Sequence, residues 1–246
     1  MTSLLPLLPI LGFVIALFGL TMLVPLGFAL AGRDAALPAH GAAIVITLCC
    51  GLVLWWLSRR YKRELQPRDG FLLVVLIWTV LPMFAMLPML LALPDVSVTD
   101  AYFEAMSGLT ASGGTAFEGL DRLPLSINVW RCFLQLIGGL GVVVMAVAVL
   151  PLLGVGGAQL YKAETPGPMK DAKLTPRIAE TARGLWSVYG ALSLACMLAY
   201  RAAGMNWADA FMHMCSTMGL GGFSSYDASF GHWNSPAIEA VAVVFM

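Results

Sequence analysis

Charge is what this chain has least of. Asp, Glu, Lys and Arg make up 11% of its 246 residues against 59% hydrophobic ones, and the 14 basic and 14 acidic side chains cancel. A soluble domain carries roughly twice that charged fraction. With a mean hydropathy of +0.84, the composition excludes one and indicates a polytopic membrane protein surrounded by lipid. No basic run precedes the first apolar stretch, which is itself long enough to span, so no cleavable signal is expected. The five cysteines (Cys49, Cys50, Cys132, Cys196, Cys215) sit in apolar surroundings without metal-ligand spacing and read as small buried hydrophobes. There is no Ser-His-Asp grouping, no pair of carboxylates in a cleft and no zinc spacing, so the protein is not expected to be an enzyme. The glycine-rich stretch 154–162 (GVGGAQLYK) lacks a preceding strand and a Ser or Thr after its lysine, which argues against nucleotide binding. Neither an organic cofactor nor a nucleic-acid partner is expected.

What is present is a series of long apolar runs. Residues 4–31 form a first span and 42–57 a shorter second one ending at Trp55 and Trp56, residues suited to an interface. A basic loop, 58–70, precedes a third span at 71–93 that Pro82 and Pro88 are expected to bend. A long run at 125–153 carries Gly138, Gly139 and Gly141, which permit close helix contact or a bend. A polar connector follows at 154–184, then a span at 185–203 and the beginning of another at 236–246.

Between these runs lie two short polar, glycine-rich breaks. Ser97 to Asp100 (SVTD) is a capping-box start, so residues 100–109 predict a helix of about 15 Å, half the depth of a bilayer core. Its carbonyl end, partially negative, then faces the break at 110–114, an arrangement suited to a cation. A shift of 109 residues repeats the pattern. It lays Ser97 on Asn206, Asp100 on Asp209, Ser107 on Ser216, Gly113 on Gly222, and Thr115 to Glu118 on Ser224 to Asp227. His213 falls at the position of Glu104 and reads as packed rather than as a proton relay. Met205, Met212, Met214 and Met218 read as core. Glu239, about four residues into an apolar helix, is either functional or in reach of water.

Basic residues set the orientation. With the N-terminus in the cytoplasm, ten of the 14 lie inside: Arg59, Arg60, Lys62, Arg63, Arg68, Lys162, Lys170, Lys173, Arg177 and Arg183. Arg33, Arg122, Arg131 and Arg201 lie outside with eight acids: Asp34, Asp95, Asp100, Glu104, Glu118, Asp121, Asp209 and Asp227. An acidic outer mouth concentrates cations.

The segments EAMSGLTASGGTAFEGLD (104–121), CSTMGLGGFSSYDAS (215–229) and the stretch 130–189 between them resemble the membrane subunits of bacterial Trk potassium-uptake systems, within the Trk/Ktr/HKT superfamily. The resemblance covers essentially the whole chain. It implies an all-α polytopic membrane protein: an N-terminal helix hairpin, then M1–pore loop–M2 repeats of a four-repeat K⁺-channel-like fold. On that plan residues 1–70 hold the hairpin and basic loop, 71–153 the first repeat, 154–184 a cytoplasmic connector, and 185–246 the second repeat with a truncated M2. The chain thus reads as an N-terminal portion of a longer protein. The resemblance places a K⁺ selectivity filter at Thr110, Ala111, Ser112 and Gly113 and at Gly219, Leu220, Gly221 and Gly222. The transported K⁺ would sit at the backbone carbonyls of Ala111, Ser112, Leu220 and Gly221. The family's first filter usually reads TTTGA, whereas here it reads TASGG, a change that carbonyl ligands tolerate. The resemblance further implies K⁺ uptake across the bacterial inner membrane, a homodimer, and a cytoplasmic nucleotide-binding regulatory subunit like TrkA meeting the connector. The alternatives are an ion-coupled carrier working by alternating access and a non-conducting membrane partner subunit.

Overall fold

The computed structural model describes residues 5–61, 67–149 and 174–246, all of them helix, turn or loop with no strand among them. Among the described residues, three stretches are long and apolar enough to cross a membrane: Leu8–Gly32, Leu37–Ser58 and Asp69–Ala92. The first is two helices, α1 (Leu8–Thr21) and α2 (Leu23–Gly32), parted at Met22. Pro25 has no N–H to return to the carbonyl of Thr21, so the ladder restarts there. The second, α3 (Leu37–Ser58), has 22 residues rather than the sixteen expected, because Pro38 sits at the favoured start of a helix. In the third, α4 (Pro67–Ala85) runs through Pro82, and α5 (Leu87–Ala92) begins with Pro88 in its first turn.

The hairpin of α1 and α3 closes backbone to backbone. A β-carbon on Gly12 would stand 2.6 Å from the amide nitrogen of Trp55, and one on Gly51 2.5 Å from that of Ala16. Lipid tails give no hydrophobic drive for helix pairing, so such close approach of small residues is what holds two spans together.

Helix α6 (Val98–Leu109) enters the bundle and stops. At its start the Ser97 hydroxyl accepts from the Asp100 N–H at 3.1 Å and donates to the Asp100 carboxylate at 2.6 Å. After a loop, α7 (Leu125–Val149) runs 25 residues and is the centre of the bundle, packing against α2, α6 and the two helices that follow it. Trp130 is wholly buried on one side of it, its indole N–H donating to the carbonyl of Ala85 at 2.8 Å. Val129 and Cys132 face the other core, with Tyr200, Met205, Met212 and Cys215. The expected close contact at the glycines is found. A β-carbon on Gly138 would collide with the carbonyl of Leu109, the last residue of α6, and one on Gly139 would approach Gly219 to 3.0 Å.

The next helix, α8 (Leu174–Ala202), starts eleven residues before the expected span, so the tail of the 154–184 connector is helical. Residues 154–173, like Lys62 and Arg63, lie outside the described residues. Helix α9 (Trp207–Met218) repeats α6, and α10 (Pro236–Phe245) follows. Two expectations about packing divide. Met205, Met212 and Met214 are buried as expected, as are Cys132, Cys196 and Cys215, but Cys49 and Cys50 are exposed along α3. The side of an apolar span turned away from its neighbours needs no interior, so small residues such as these face outward as readily as in. Glu239 is also exposed, in the first turn of α10, where a carboxylate suits the helix dipole.

The ends of the elements are tied by Asp34, whose two carboxylate oxygens accept from the N–H groups of Ala36 (3.0 Å) and Ser126 (2.8 Å). Burial by itself would raise its pKa, but those backbone donors, Ser126 foremost, outweigh it and hold the carboxyl below its ordinary value. A carboxyl depressed on folding stabilises above its unfolded pKa, near pH 4, and loses that contribution as pH falls through the lower folded value. Detergent-solubilised protein should therefore lose melting temperature below about pH 4, and Asp34→Asn should melt lower at neutral pH with a flatter acid dependence. Separately, Gly51→Leu should cost about 1–3 kcal/mol by forcing α1 from α3. An unchanged melt in that variant would refute the close-packed hairpin.

Candidate functional site

The two breaks have the same backbone. Helices α6 and α9 each have twelve residues, each is capped by a side chain three residues before an aspartate, and each ends in a right-handed cap, Thr110 (φ −83°) and Gly219 (φ −76°). The residue after each cap is left-handed, Ala111 at φ 52° and Leu220 at φ 54°, and so is the glycine two further on, Gly113 at 77° and Gly222 at 80°. Ser112 and Gly221, between them, are not left-handed, so the sign of φ alternates along both segments. The turns close alike, with Ser112 N–H donating to Ser107 carbonyl at 3.1 Å and Gly221 N–H to Ser216 carbonyl at 3.0 Å. A left-handed residue with a β-carbon costs about 1–2 kcal/mol, so two such residues at matched positions mark a shape that the surroundings impose. The two segments touch. A β-carbon on Gly113 would collide with the carbonyl oxygen of Gly221.

Beyond each glycine the chain is anchored to its own short helix. Glu104, wholly buried on α6, accepts from the Thr115 hydroxyl at 3.0 Å and the Ala116 N–H at 2.9 Å. His213, at the matching place on α9, pairs its Nε2 with the Ser224 hydroxyl at 3.3 Å. Thr115 and Ser224 each then accept from the N–H two residues on, both at 3.1 Å. His213 is packed as expected, with Nδ1 against the carbonyl of Asp209 and its ring edge-on to Trp233. Asp209 does more than cap its helix: nearly buried, it also accepts from the hydroxyls of Ser225 and Tyr226.

Among the residues that sequence reasoning misplaced, the one that reorganises the site is Arg131. It belongs not to the outer surface but to the interior, wholly buried between the two segments. Its Nε and Nη2 donate to Glu104 at 2.7 and 2.6 Å, Nη2 also to Thr115 Oγ1 at 3.1 Å, and Nη1 to Asn128 Oδ1 at 2.9 Å and the Ser224 carbonyl at 3.3 Å. A guanidinium has five N–H donors, and all five are used. Phe223 and Phe117 cover its faces at 4.7 and 5.7 Å. One turn on, Gln135 accepts from the Phe223 N–H at 3.1 Å, and its side chain fills the space where a β-carbon on Gly221 would go. The signal in the sequence was the spacing of Asn128, Arg131 and Gln135 on one stripe of an apolar helix, where an ionisable residue is rare and faces the interior. Arg131, Glu104 and Asp209 thus leave the set expected at the outer mouth, in which Arg33, Arg122 and Arg201 remain with Asp34, Asp95, Asp100, Glu118, Asp121 and Asp227.

Residues 37–246 match the TrkH family of cation transport proteins. The chain belongs to that family. It is 52% identical over 238 residues to the Trk system potassium uptake protein TrkH of Vibrio parahaemolyticus, a match taking in 96% of this chain and 49% of that protein. Against the Trk system potassium uptake protein TrkG of Escherichia coli K12, identity is 42% over 235 residues, or 95% of this chain and 48% of the other. The crystal structure of the potassium transporter TrkH from Vibrio parahaemolyticus matches with a TM-score of 0.87 at 46% identity, covering 99% of this chain and 49% of that one. This TrkH-family chain thus spans about half the length of the curated relatives it matches.

Its two glycines differ in what confines them. Gly113 is held by both a left-handed φ and the Gly221 carbonyl, whereas Gly222 has open space where its β-carbon would go. Gly222→Ala should therefore cost about 1–2 kcal/mol, the left-handed penalty alone, and Gly113→Ala more. The reverse order of melting temperatures would contradict the contact between the segments.

Proposed function

We propose that the protein carries K⁺ inward across the bacterial inner membrane, with residues 110–113 and 219–222 each supplying one strand of a carbonyl-lined filter. The observation that carries this reading is the twice-repeated alternation of φ sign at the carbonyl end of a helix that stops inside the bundle. Alternating handedness turns successive peptide units the same way, with N–H groups on one side and carbonyls on the other. Carbonyls so arrayed replace the water around a cation without a fixed charge, and the α6 and α9 dipoles add negative potential. K⁺ binds at the carbonyls of Ala111, Ser112, Leu220 and Gly221. The relatives' description as potassium uptake proteins supports the choice of ion.

The rest follows the same plan. Residues 1–70 form the entry hairpin and basic loop, 71–153 and 185–246 two pore repeats, and 154–184 a cytoplasmic connector that meets a nucleotide-binding regulatory subunit like TrkA. The protein pairs as a homodimer. The N-terminus is cytoplasmic, which places the acidic rim outside, where it gathers cations. The membrane potential drives them inward with about 2.3 kcal/mol per charge per 100 mV.

Expressed as the native protein in bacteria lacking other K⁺ uptake, Gly113→Asp and Gly222→Asp should abolish K⁺-limited growth or alter ion preference at normal membrane abundance. Wild-type discrimination of K⁺ from Na⁺ in either variant would remove the filter assignment. Substrate exchange without conductance in the unmodified protein would favour a carrier.

A further inference from the structure

We infer that Arg131 is a positioning residue for ion discrimination: its guanidinium fixes the exit loops of both filter segments against each other. The inference rests on the filter reading above. Glu104 and Thr115 belong to the first segment's helix and exit loop, and the Ser224 carbonyl belongs to the second's exit loop. Arg131 reaches all three, and Asn128 orients it. Asn128 itself donates to the Leu120 carbonyl at 2.8 Å and the Ser225 carbonyl at 3.4 Å, one in each loop. A third tie closes the same gap from the other direction, where Asp227 accepts from the Leu120 N–H at 3.1 Å.

Stability alone does not account for such a residue. A buried ion pair roughly breaks even against well-packed apolar side chains of the same volume. What an apolar cluster cannot supply is direction. A planar fork with five occupied donors admits one arrangement of its acceptors, and two of them, Thr115 and the Ser224 carbonyl, lie in loops that no covalent connection shorter than about a hundred residues joins. The device is not repeated on α10, whose residues Pro236–Phe245 carry no cation. The first exit loop is held by a carboxylate, the second by the pair of His213 and Ser224, and the buried Arg131 lies between them. A filter tells ions apart by the spacing and stiffness of its ligands, so loosening this joint should let the strands adjust to a smaller ion.

The test uses the native protein in bacteria lacking other K⁺ uptake, with K⁺ and Na⁺ uptake measured per membrane-inserted protein. Arg131→Lys keeps the charge and loses the fork. Thr115→Val keeps the shape and removes the hydroxyl shared by Glu104 and Arg131. Both should lower the K⁺ to Na⁺ uptake ratio about fivefold or more, and Thr115→Ser should restore it. If Arg131→Lys fails to accumulate, Thr115→Val against Thr115→Ser decides the matter. A wild-type ratio in Thr115→Val and in any accumulating Arg131→Lys, or a loss of both uptakes in proportion, overturns the inference. Gly222→Asp is measured alongside. An altered ratio or lost K⁺ uptake there, with a wild-type ratio in the Thr115 and Arg131 variants, defeats only the positioning role, whereas a wild-type ratio in Gly222→Asp defeats the filter reading itself.

Discussion

An ionised guanidinium in the middle of an apolar bundle is tolerable only when every donor is occupied, and that condition shapes the surroundings of Arg131. It explains why Glu104 is buried on a helix whose other buried residues are uncharged, why Thr115 turns inward, and why Asn128 stands one turn before the arginine. It explains too why two loops nearly a hundred residues apart meet. Without Glu104 the bundle would contain an uncompensated charge, and without any of the neutral acceptors an N–H would be left unpaired. The cost of burying the charge fixes the geometry.

That geometry is reached through small residues rather than large ones. Between α1 and α3, and again between α6 and α7, the contact is main chain against main chain. In a lipid surrounding, where apolar bulk gains nothing by leaving solvent, such contacts supply dispersion at short range and leave no room for slippage. These contacts are organised by backbone, and on α1 and α3 the large side chains Phe13, Leu17, Leu52 and Val53 are turned outward.

Much of this was legible beforehand. The helix starts at Ser97 and Asn206, the shift of 109 and the paired glycines follow from local rules of capping and backbone conformation, which sequence carries directly. The place of Arg131 was not, because assigning it to the outer side relied on the sidedness of the membrane and not on what packs around it. Its real position depends on Glu104 and Ser224, partners that only the tertiary arrangement brings near. The doubled role of Asp209 escaped for the same reason: a cap is a local property, and acceptance from Ser225 and Tyr226 is not. The outward-facing Cys49 and Cys50 were misjudged by applying the burial habits of water-soluble proteins to a chain that has no water around its middle.

The alternation along residues 110–113 and 219–222 has a stereochemical consequence. Each segment is built as though every second residue were of the opposite hand, yet the chain contains only L-residues and achiral glycine. Glycine can fill a mirror-image position without preference, whereas Ala111 and Leu220 fill theirs against their own chirality. The two positions in each segment are therefore unequal. One is satisfied by having no handedness and the other is held in the wrong one, and D-alanine in place of Ala111 would suit the fold better than the residue biosynthesis can provide.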